Sequence, residues 1–334
     1  MAPPIKSLES WAMSRQSVLL YRKVPPEQLQ RLRQEHEVIE AYSPGEADRE
    51  TFLAALPRVA GLIGSGLKID ESVLDRAPNL RVISSISVGV DHYPLAALHC
   101  RSIVLCHTPD VLTDSVADLL FGMVIATSRR MFEMARLVRE GRWRHSLQAE
   151  DYGWDVHGKT LGIIGYGRIG RAVAQRAALG FGMPVLYHSR RPVDSGLPPG
   201  KARAVALDEL LAESDFVVVM VPLTEQTRGM IGAQALGRMK QGAILVNAAR
   251  GPIVDESALL AALDSGHLRG AGLDVFAVEP LPLDSRLLDH PRVLALPHMG
   301  SATHETRTAM ADMAVSNLLS VLRGDPPLAA FPTA

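Results

Sequence analysis

The sequence contains very few cysteines, since only Cys100 and Cys106 occur among its 334 residues. Two cysteines cannot supply the disulfide framework of a small secreted domain, and neither lies in a Cys-x-x-Cys or Cys/His spacing that would bind a metal ion. We therefore expect no metal site, and a reducing compartment, the cytoplasm, is the default location.

An excess of charge of either sign is also missing, because the formal net charge at pH 7 is −1. No basic excess is available to attract the phosphates of a nucleic acid or a membrane surface. The longest apolar run, Leu119–Ala126, is far too short to cross a bilayer. The residues before Met13 contain no apolar core of a signal peptide, and we expect this leader to matter little. The sequence thus indicates a globular protein, for which we expect no nucleic-acid or membrane partner.

What the sequence does contain is a regular alternation of short apolar segments and helical segments. The first series of predicted strands comprises Ser17–Tyr21, Val38–Tyr42, Val59–Gly64, Arg81–Ser87 and Ile103–Cys106. A long helical pattern then runs from about Thr113 to Gly141. The second series has six predicted strands, at Leu161–Ile164, Pro184–Tyr187, Phe216–Met220, Ala243–Asn247, Gly270–Val275 and Val293–Ala295. A last amphipathic helix is predicted from about Thr303 to Arg323.

This alternation predicts an α/β fold with parallel sheets and right-handed crossovers. A chain of 334 residues is long enough for two domains, each with its own core. We predict a doubly wound, Rossmann-type nucleotide-binding domain over residues 109–299. It is inserted into a smaller substrate domain formed by residues 1–108 and 300–334, to which the last helix returns. The cleft between the two domains is the expected place for the chemistry.

The clearest motif is the segment 161–170, which reads LGIIGYGRIG. Gly165 can make the tight turn from strand to helix, Gly167 lets the main chain approach a pyrophosphate, and Gly170 lets the helix pack against the strand. Arg168 and Ile169 lie between the last two glycines and belong to the same predicted cofactor-binding segment. A GxGxxG motif alone is weak, but this one follows a predicted strand and opens a predicted helix, as a dinucleotide site requires.

A missing carboxylate indicates which dinucleotide is bound. In such folds an Asp or Glu at the end of the second strand binds the ribose 2′-hydroxyl of NAD(H). Here that strand is followed by Ser189, Arg190 and Arg191, and no acidic residue is present. A serine and two arginines suit a 2′-phosphate, although two arginines after a strand also suit a solvated turn. The sequence therefore favours NADP(H), with NAD(H) as the other possibility.

Four motifs in order carry a resemblance to a known family. They read GYGRIG at 165–170, VNAARG at 246–251, GLDVF at 272–276 with Glu279-Pro280 after it, and PHMGS at 297–301. Together they resemble the D-isomer-specific 2-hydroxyacid dehydrogenases, and within that family the NADPH-type glyoxylate/hydroxypyruvate reductases and the 2-ketogluconate reductases. The resemblance extends from about Val82 to Gly324. It implies a flavodoxin-like substrate domain and a homodimer built around the long helix.

Three residues are candidates for the chemistry of 2-oxo acid reduction, which needs a proton donor and a cation besides a hydride donor. Arg250 follows a predicted strand, and its planar guanidinium suits bidentate binding of a carboxylate, although an arginine there is also an ordinary surface residue. His298 is the candidate proton donor because imidazole titrates near neutral pH, although most single histidines are structural. Glu279 would bind the other ring nitrogen of His298. The resemblance implies these same three residues as the catalytic set.

The resemblance also implies further cofactor and substrate contacts. On the cofactor side they are Val221, Pro222, Thr227, Ala248, Ala249, Asp274 and Gly300. On the substrate side they are Gly66, Leu67, Ser87, Val88, Gly89 and Ser301. A tryptophan at the position of Trp143 reaches toward the partner's active site in the resembling reductases, but it would equally suit an interface anchor. Asp118 departs from the usual glutamate of the family and keeps the charge.

The sequence thus predicts NADPH-dependent reduction of a small 2-oxo acid to the D-2-hydroxy acid. Glyoxylate, hydroxypyruvate and 2-ketogluconate share the same 2-oxo acid group, so the motifs do not separate them. Discrimination is expected around Leu67, Met299 and Ser301. Two alternatives stay open at this point: NAD-dependent oxidation of phosphite or another small anion, and a nucleotide-sensing corepressor-type binding protein on the same fold.

Overall fold

The computed structural model describes residues 15–43 and 45–333. The chain divides into two compact units, one comprising the residues up to Leu112 together with those from Thr303 onward, and the other comprising Thr113–Ala302. The leader expected before Met13 lies outside the described residues.

The first unit is built on a parallel sheet of five strands. The strands are β1 (Ser17–Leu20), β2 (Glu37–Glu40), β3 (Val59–Gly64), β4 (Val82–Ser85) and β5 (Val104–Cys106). The helices are α1 (Pro26–Glu35), α2 (Arg49–Ala55), α3 (Glu71–Asp75), α4 (Leu95–Cys100) and, from the end of the chain, α12 (His304–Arg323). The strand order is β2-β1-β3-β4-β5, which is the flavodoxin-like order. Because β3 is buried along its whole length, its sequence is apolar without alternation.

The helix α12 packs on this sheet after the chain has passed through the second unit. Its first turn is capped by the hydroxyl of Thr303, which accepts a hydrogen bond from the main-chain nitrogen of Thr306 at 3.2 Å. The hydroxyl of Ser84, in β4, donates to the carbonyl of Ala314 at 2.7 Å. The helix ends at Gly324, which has the left-handed φ of 94° typical of a helix terminus. The last helix is therefore an integral layer of the first unit.

The second unit is built on a parallel sheet of seven strands. They are β6 (Leu161–Ile164), β7 (Val185–His188), β8 (Ala202–Ala204), β9 (Phe216–Val219), β10 (Ala243–Asn247), β11 (Leu268–Leu273) and β12 (Val293–Ala295). The helices are α5 (Thr113–Ser128), α6 (Met131–Arg139), α7 (Arg168–Gln175), α8 (Leu207–Glu213), α9 (Ala233–Arg238), α10 (Glu256–Asp264) and α11 (Arg286–Asp289). The strand order is β12-β11-β10-β9-β6-β7-β8, so the order reverses between β6 and β9, as in Rossmann sheets.

The prediction of six strands in this unit is wrong by one. The additional strand, β8, has the sequence Ala-Arg-Ala and pairs with β7 at the edge of the sheet. It is short and partly exposed, so it lacks the apolar run by which the other strands are recognised.

The prediction of one long helix from Thr113 to Gly141 is also wrong, because the helix is interrupted between α5 and α6. The carbonyl of Ser128 accepts a hydrogen bond from the nitrogen of Trp154 at 2.9 Å, so it does not continue the helical ladder. Arg130 then takes a left-handed φ of 53°, and its Nε and Nη2 donate to Glu133 at 3.0 and 2.6 Å. The local sequence would allow the helix to continue, but the hydrogen bond between Ser128 and the distant residue Trp154 ends it.

Candidate active site

The turn between β6 and α7 has the geometry that a dinucleotide pyrophosphate requires. Gly165 has φ of 102°, and a Cβ atom there would lie 2.4 Å from the carbonyl oxygen of Met220. A Cβ atom on Gly170 would lie 2.3 Å from the carbonyl oxygen of Gly165, which explains the close approach of helix and strand. At Gly167, by contrast, a Cβ atom would meet nothing within 4 Å among the described residues. Main-chain amide groups at the start of α7 therefore border an open space, and these residues fit a bound dinucleotide.

The loop after β7 presents positive charge to solvent. Ser189 is half-buried, while Arg190 and Arg191 are exposed. Neither guanidinium forms an ion pair within the part of the chain that the structure describes. Two exposed arginines thus follow β7 and place positive charge at the surface of this unit.

The loop after β9 closes on itself. The hydroxyl of Thr227 donates to the carbonyl of Pro222 at 2.7 Å and accepts from the nitrogen of Thr224 at 2.8 Å. The nitrogen of Val221 would lie 2.9 Å from a Cβ atom on Gly165, so the start of this loop borders the glycine turn. Val221, Pro222 and Thr227 thus belong to one ordered segment beside the proposed pyrophosphate site.

A residue that the sequence analysis missed, Asn247, shapes the loop that carries Arg250. Asn247 ends β10 and is 1% exposed. Its side-chain oxygen accepts from the nitrogen of Ala249, and its side-chain nitrogen donates to the carbonyl of Arg250, each at 3.0 Å. Arg250 in turn donates from Nη1 to the carbonyl of Ala249 at 2.7 Å. A buried amide thus fixes residues 248–250, and the detectable signal is a polar residue ending the apolar strand AILVN.

The residue after Arg250, Gly251, also shapes this loop, and the sequence analysis did not single it out. A Cβ atom at this position would lie 1.8 Å from the carbonyl carbon of Phe276 and 2.4 Å from the nitrogen of Ala277. Only glycine allows main chain to pass main chain this closely. The loop bearing Arg250 is therefore pressed against the loop that leads to Glu279.

Glu279 and His298 form a hydrogen-bonded pair. Oε2 of Glu279 lies 2.7 Å from Nδ1 of His298, and Oε1 accepts from the nitrogen of Phe276 at 3.0 Å. Burial raises the pKa of Glu279, but the hydrogen bonds from His298 and Phe276 and the nearby charge of Arg250 outweigh it and hold that pKa below its usual value. Glu279 therefore stays ionised and orients the imidazole.

His298 lies in a strained turn and presents its ring to solvent. Its φ is 52°, which is uncommon for a residue other than glycine. Its side chain is 51% exposed. Glu279 engages Nδ1, so Nε2 is the ring nitrogen that this hydrogen bond leaves unengaged.

Asp274 holds the turn that carries His298. It is 1% exposed, and its two carboxylate oxygens accept from the nitrogens of Met299 and Gly300, each at 2.8 Å. Burial raises the pKa of Asp274, although both hydrogen bonds and the nearby His298 oppose this shift. The side chain thus serves the main chain of residues 298–300, a contact that the sequence analysis did not foresee.

The expected substrate residues fall in both units. In the first unit, Gly66 and Leu67 follow β3, and Ser87, Val88 and Gly89 follow β4; Gly66 has φ of 81°. The carbonyls of Ser87 and Val88 are bound by the nitrogen of Thr108 at 3.0 Å and the Nδ1 of His107 at 3.2 Å. Ser301 is half-buried and belongs to the second unit, as do all three catalytic candidates.

Two further positions have structural contacts. Asp118 accepts from Nε of Arg176 at 2.7 Å, so it joins α5 to α7. Trp143 is 62% exposed, and other exposed apolar side chains near it in the chain are Met131, Val138, Leu147, Tyr152 and Trp154.

In the described ranges, no three His, Cys, Asp or Glu side chains are grouped so that they could hold a metal ion. None of the described helices is long and apolar enough to cross a membrane.

Known proteins resemble this chain in sequence and in structure. Residues 121–300 match the family described as D-isomer specific 2-hydroxyacid dehydrogenase, NAD binding domain. A protein named glyoxylate/hydroxypyruvate reductase B from Yersinia enterocolitica is 52% identical over 309 residues, which cover 92% of this chain and 94% of that protein. A solved protein from Thermus thermophilus has a TM-score of 0.86 and 43% identity, covering 95% of this chain and 100% of that one. An NADPH-dependent glyoxylate/hydroxypyruvate reductase from Sinorhizobium meliloti, solved with NADP and malonate, has a TM-score of 0.84 and 33% identity, covering 96% and 98% of the two chains.

Proposed function

The chain belongs to the D-isomer-specific 2-hydroxyacid dehydrogenases, and on that premise we propose that it reduces a small 2-oxo acid to the D-2-hydroxy acid with NADPH. Glyoxylate and hydroxypyruvate are the proposed substrates, because the Yersinia and Sinorhizobium relatives carry those names. 2-Ketogluconate is a further candidate, supported by the sequence motifs alone.

The observation that carries the proposal is the 2.7 Å hydrogen bond between Glu279 and His298 in the unit that also holds Arg250. We propose that Arg250 binds the substrate carboxylate through its planar guanidinium and polarises the neighbouring carbonyl. His298 donates a proton from Nε2 to the carbonyl oxygen as that oxygen gains charge. Glu279 fixes the tautomer and stabilises the charged imidazole before the proton is given.

The cofactor proposed is NADP(H) in preference to NAD(H), and when bound it supplies the hydride for the carbonyl carbon. The support for the preference is the exposed pair Arg190 and Arg191 beside Ser189, together with the lack of a carboxylate there. The Sinorhizobium relative is described as NADPH-dependent, which agrees with this preference. The remaining proposed cofactor contacts are Gly165, Gly167, Arg168, Ile169, Gly170, Val221, Pro222, Thr227, Ala248, Ala249, Asp274 and Gly300.

For the substrate, we propose contacts from the loops that follow β3 and β4 in the first unit and from the turn after His298. The residues are Gly66, Leu67, Ser87, Val88, Gly89 and Ser301. Their location supports this, because ligands of open α/β sheets bind beyond the carboxyl ends of the strands.

We also propose that the protein is a homodimer in the cytoplasm. Support for the dimer comes from the exposed apolar side chains of α6 and the segment after it, among them Val138 and Trp143, because such surface is uncommon on a monomer. Trp143 is then an interface residue, placed either as an anchor or toward the partner's site. Support for the compartment is that both cysteines are free thiols.

The test is a turnover assay with NADPH or NADH against glyoxylate, hydroxypyruvate and 2-ketogluconate, followed by the absorbance of the reduced nicotinamide. We expect turnover with NADPH, and His298→Asn should lower kcat by about 10²–10⁴-fold because the proton donor is lost. His99→Asn, an exposed histidine on α4, is the matched control and should leave kcat unchanged.

Three outcomes would contradict the proposal. Undiminished kcat in His298→Asn would remove the proposed proton donor from the reaction. Binding of NADPH without turnover of any 2-oxo acid would favour a nucleotide-sensing protein. Turnover of phosphite with NAD, in the absence of 2-oxo acid reduction, would favour the oxidation of a small anion.

A further inference from the structure

Two buried tyrosines connect the glycine turn to the loop that carries the arginines. Tyr166 lies between Gly165 and Gly167, and Tyr187 lies in β7, the strand beside β6. Their rings stack with centroids 3.9 Å apart and an interplanar angle of 21°. Tyr166 is 2% and Tyr187 6% exposed, so the pair is packed inside this unit.

Both tyrosine hydroxyls are bonded to the same loop. The segment Ser189–Leu197, which we call the arginine loop, contains Arg190 and Arg191. The hydroxyl of Tyr187 donates to the carbonyl of Val193, and that of Tyr166 donates to the carbonyl of Ser195, each at 3.0 Å. Burial chiefly raises the pKa of Tyr166 to about 12, so its hydroxyl stays protonated as a donor throughout the neutral range.

These two bonds shorten the part of the arginine loop that is free to move. The loop leaves β7 after His188 and is first held again at Val193, so only Ser189–Pro192 lie between two fixed points. Pro192 restricts the backbone further. Without the two tethers, the free segment would extend toward β8, which begins at Ala202. Ordering each additional residue on ligand binding costs conformational entropy, so a tethered loop binds with less loss.

We propose that Tyr166 and Tyr187 are positioning residues that hold Ser189, Arg190 and Arg191 ready for the 2′-phosphate of NADP(H). This inference rests on the proposed function, because it needs NADP(H) to be the preferred cofactor. It adds that selectivity between NADPH and NADH depends on two residues that need not touch the 2′-phosphate. Tyr166 also links two parts of the proposed cofactor site, because it belongs to the turn proposed for the pyrophosphate and is hydrogen-bonded to the loop proposed for the 2′-phosphate.

The charges on the arginine loop are consistent with this role. Asp194, the acidic residue of the loop, accepts a hydrogen bond from the nitrogen of Gly196 at 3.2 Å. In the chain it follows Val193, where the first tether is attached, whereas both arginines precede Val193. The segment Ser189–Pro192 therefore contains two cations and no carboxylate.

The experiment compares Tyr166→Phe, Tyr187→Phe and the double variant, which keep the stacked rings and remove the tethers. Calorimetry would measure the binding of adenosine 2′,5′-bisphosphate and of adenosine 5′-monophosphate. We expect each single variant to bind the bisphosphate about two- to tenfold more weakly, as one lost hydrogen bond implies, and to bind the monophosphate with little change. The KM for NADPH should rise in parallel, while the KM for NADH changes much less. Trypsin should cleave after Arg190 faster in the variants, without any cofactor present.

Two control variants make the result interpretable. Tyr42→Phe removes a tyrosine hydroxyl that donates to Glu40 in the first unit and should not change the ratio of the two ligand affinities. Arg190→Ser removes the proposed phosphate contact itself and should weaken the bisphosphate alone.

The failure of this inference is distinct from the failure of the proposed cofactor. If wild-type protein binds the bisphosphate no better than the monophosphate, the NADP(H) preference is refuted. If the wild type and Arg190→Ser behave as expected, but the tyrosine variants keep the wild-type ratio, the positioning role is overturned. Equal weakening of both ligands in the tyrosine variants also overturns it, because that result means a general structural role.

Discussion

Replacing Gly251 with alanine tests whether the close approach of two loops sets the geometry of the proposed catalytic residues. A Cβ atom at this position would lie 1.8 Å from the carbonyl carbon of Phe276, 1.9 Å from its oxygen and 2.4 Å from the nitrogen of Ala277. Non-bonded carbon atoms reach their optimal separation at about 3.5–4.0 Å, so the Cβ atom and the carbonyl carbon of Phe276 have to separate by roughly 1.7–2.2 Å. Rotation of a side chain cannot relieve the clash, because all three atoms belong to the main chain.

This separation moves Arg250, the preceding residue, away from Glu279. A displacement of about 1 Å among reacting groups lowers the rate by roughly 10²-fold, so we expect kcat/KM for glyoxylate to fall by about that factor. Overpacking should also lower the free energy of unfolding by about 1–3 kcal/mol. Steady-state kinetics and denaturant titration measure the two effects separately.

Gly237→Ala is the matched control. Gly237 lies in α9, is exposed and has nothing within 4 Å of the added Cβ atom. An alanine in a helix is more stable than a glycine by about 0.5–1 kcal/mol, so this variant should be slightly stabilised with unchanged kcat/KM. If Gly251→Ala retained kcat/KM within about twofold of wild type, the argument from close approach would be refuted.

Further predictions concern four neighbouring residues. Arg250→Lys keeps the charge but loses the planar fork, so steady-state kinetics should show kcat/KM for the 2-oxo acid lower by about 10- to 10²-fold. Asn247→Ala leaves buried main-chain groups of the 248–250 loop without partners, and denaturant titration should show a loss of about 1–3 kcal/mol in the free energy of unfolding. Folding lowers the pKa of Glu279, so the stabilisation by its carboxylate is present above its unfolded pKa and is lost as pH falls through the lower folded pKa. The difference in the free energy of unfolding between wild type and Glu279→Gln should therefore shrink on acidification. Folding raises the pKa of Asp274, so ionisation of its carboxyl group destabilises the folded state. The free energy of unfolding of wild type relative to Asp274→Asn should therefore decline as pH rises above the usual aspartate range. Unfolding titrations across a pH series measure both pH dependences.

The sequence predicted the buried strands of the sheets closely. The bounds of β3, β6 and β10 agree with the predicted segments, because a strand covered on both faces must be apolar throughout and is flanked by turn residues. The bounds of β12, a partly buried edge strand, agree as well. The edge strand β8 was not predicted because it is held by pairing with β7 and has no apolar run of its own. The break between α5 and α6 was not predicted either, because it depends on a hydrogen bond between Ser128 and Trp154, which is distant from Ser128 in the chain.

In the candidate site, too, the residues with chemical roles could be proposed from sequence, whereas those that act through long-range contacts could not. Arg250, Glu279 and His298 could be proposed from sequence, because the chemistry restricts which residue types can do it and the family motifs carry them. Asn247 and Gly251 were not singled out, because their importance lies in main-chain groups that approach only after folding. Asp274 accepts hydrogen bonds from the nitrogens of Met299 and Gly300 because the chain turns at His298. The left-handed position of this turn is occupied by histidine and not by glycine, so the sequence did not indicate the turn.

The supports of the site converge on the ends of two neighbouring strands, β10 and β11. The carbonyl of Asn247, at the end of β10, accepts from the nitrogen of Asp274, which follows β11, at 2.9 Å. The Asn247 side chain fixes the loop of Arg250, and the Asp274 side chain fixes the turn of His298. One main-chain hydrogen bond therefore joins the support of the proposed carboxylate-binding cation to the support of the proposed proton donor. Because both supports are buried and lie in the second unit, the relative positions of guanidinium and imidazole are determined by the packing of that sheet, and substitutions at either strand end should be non-additive with each other.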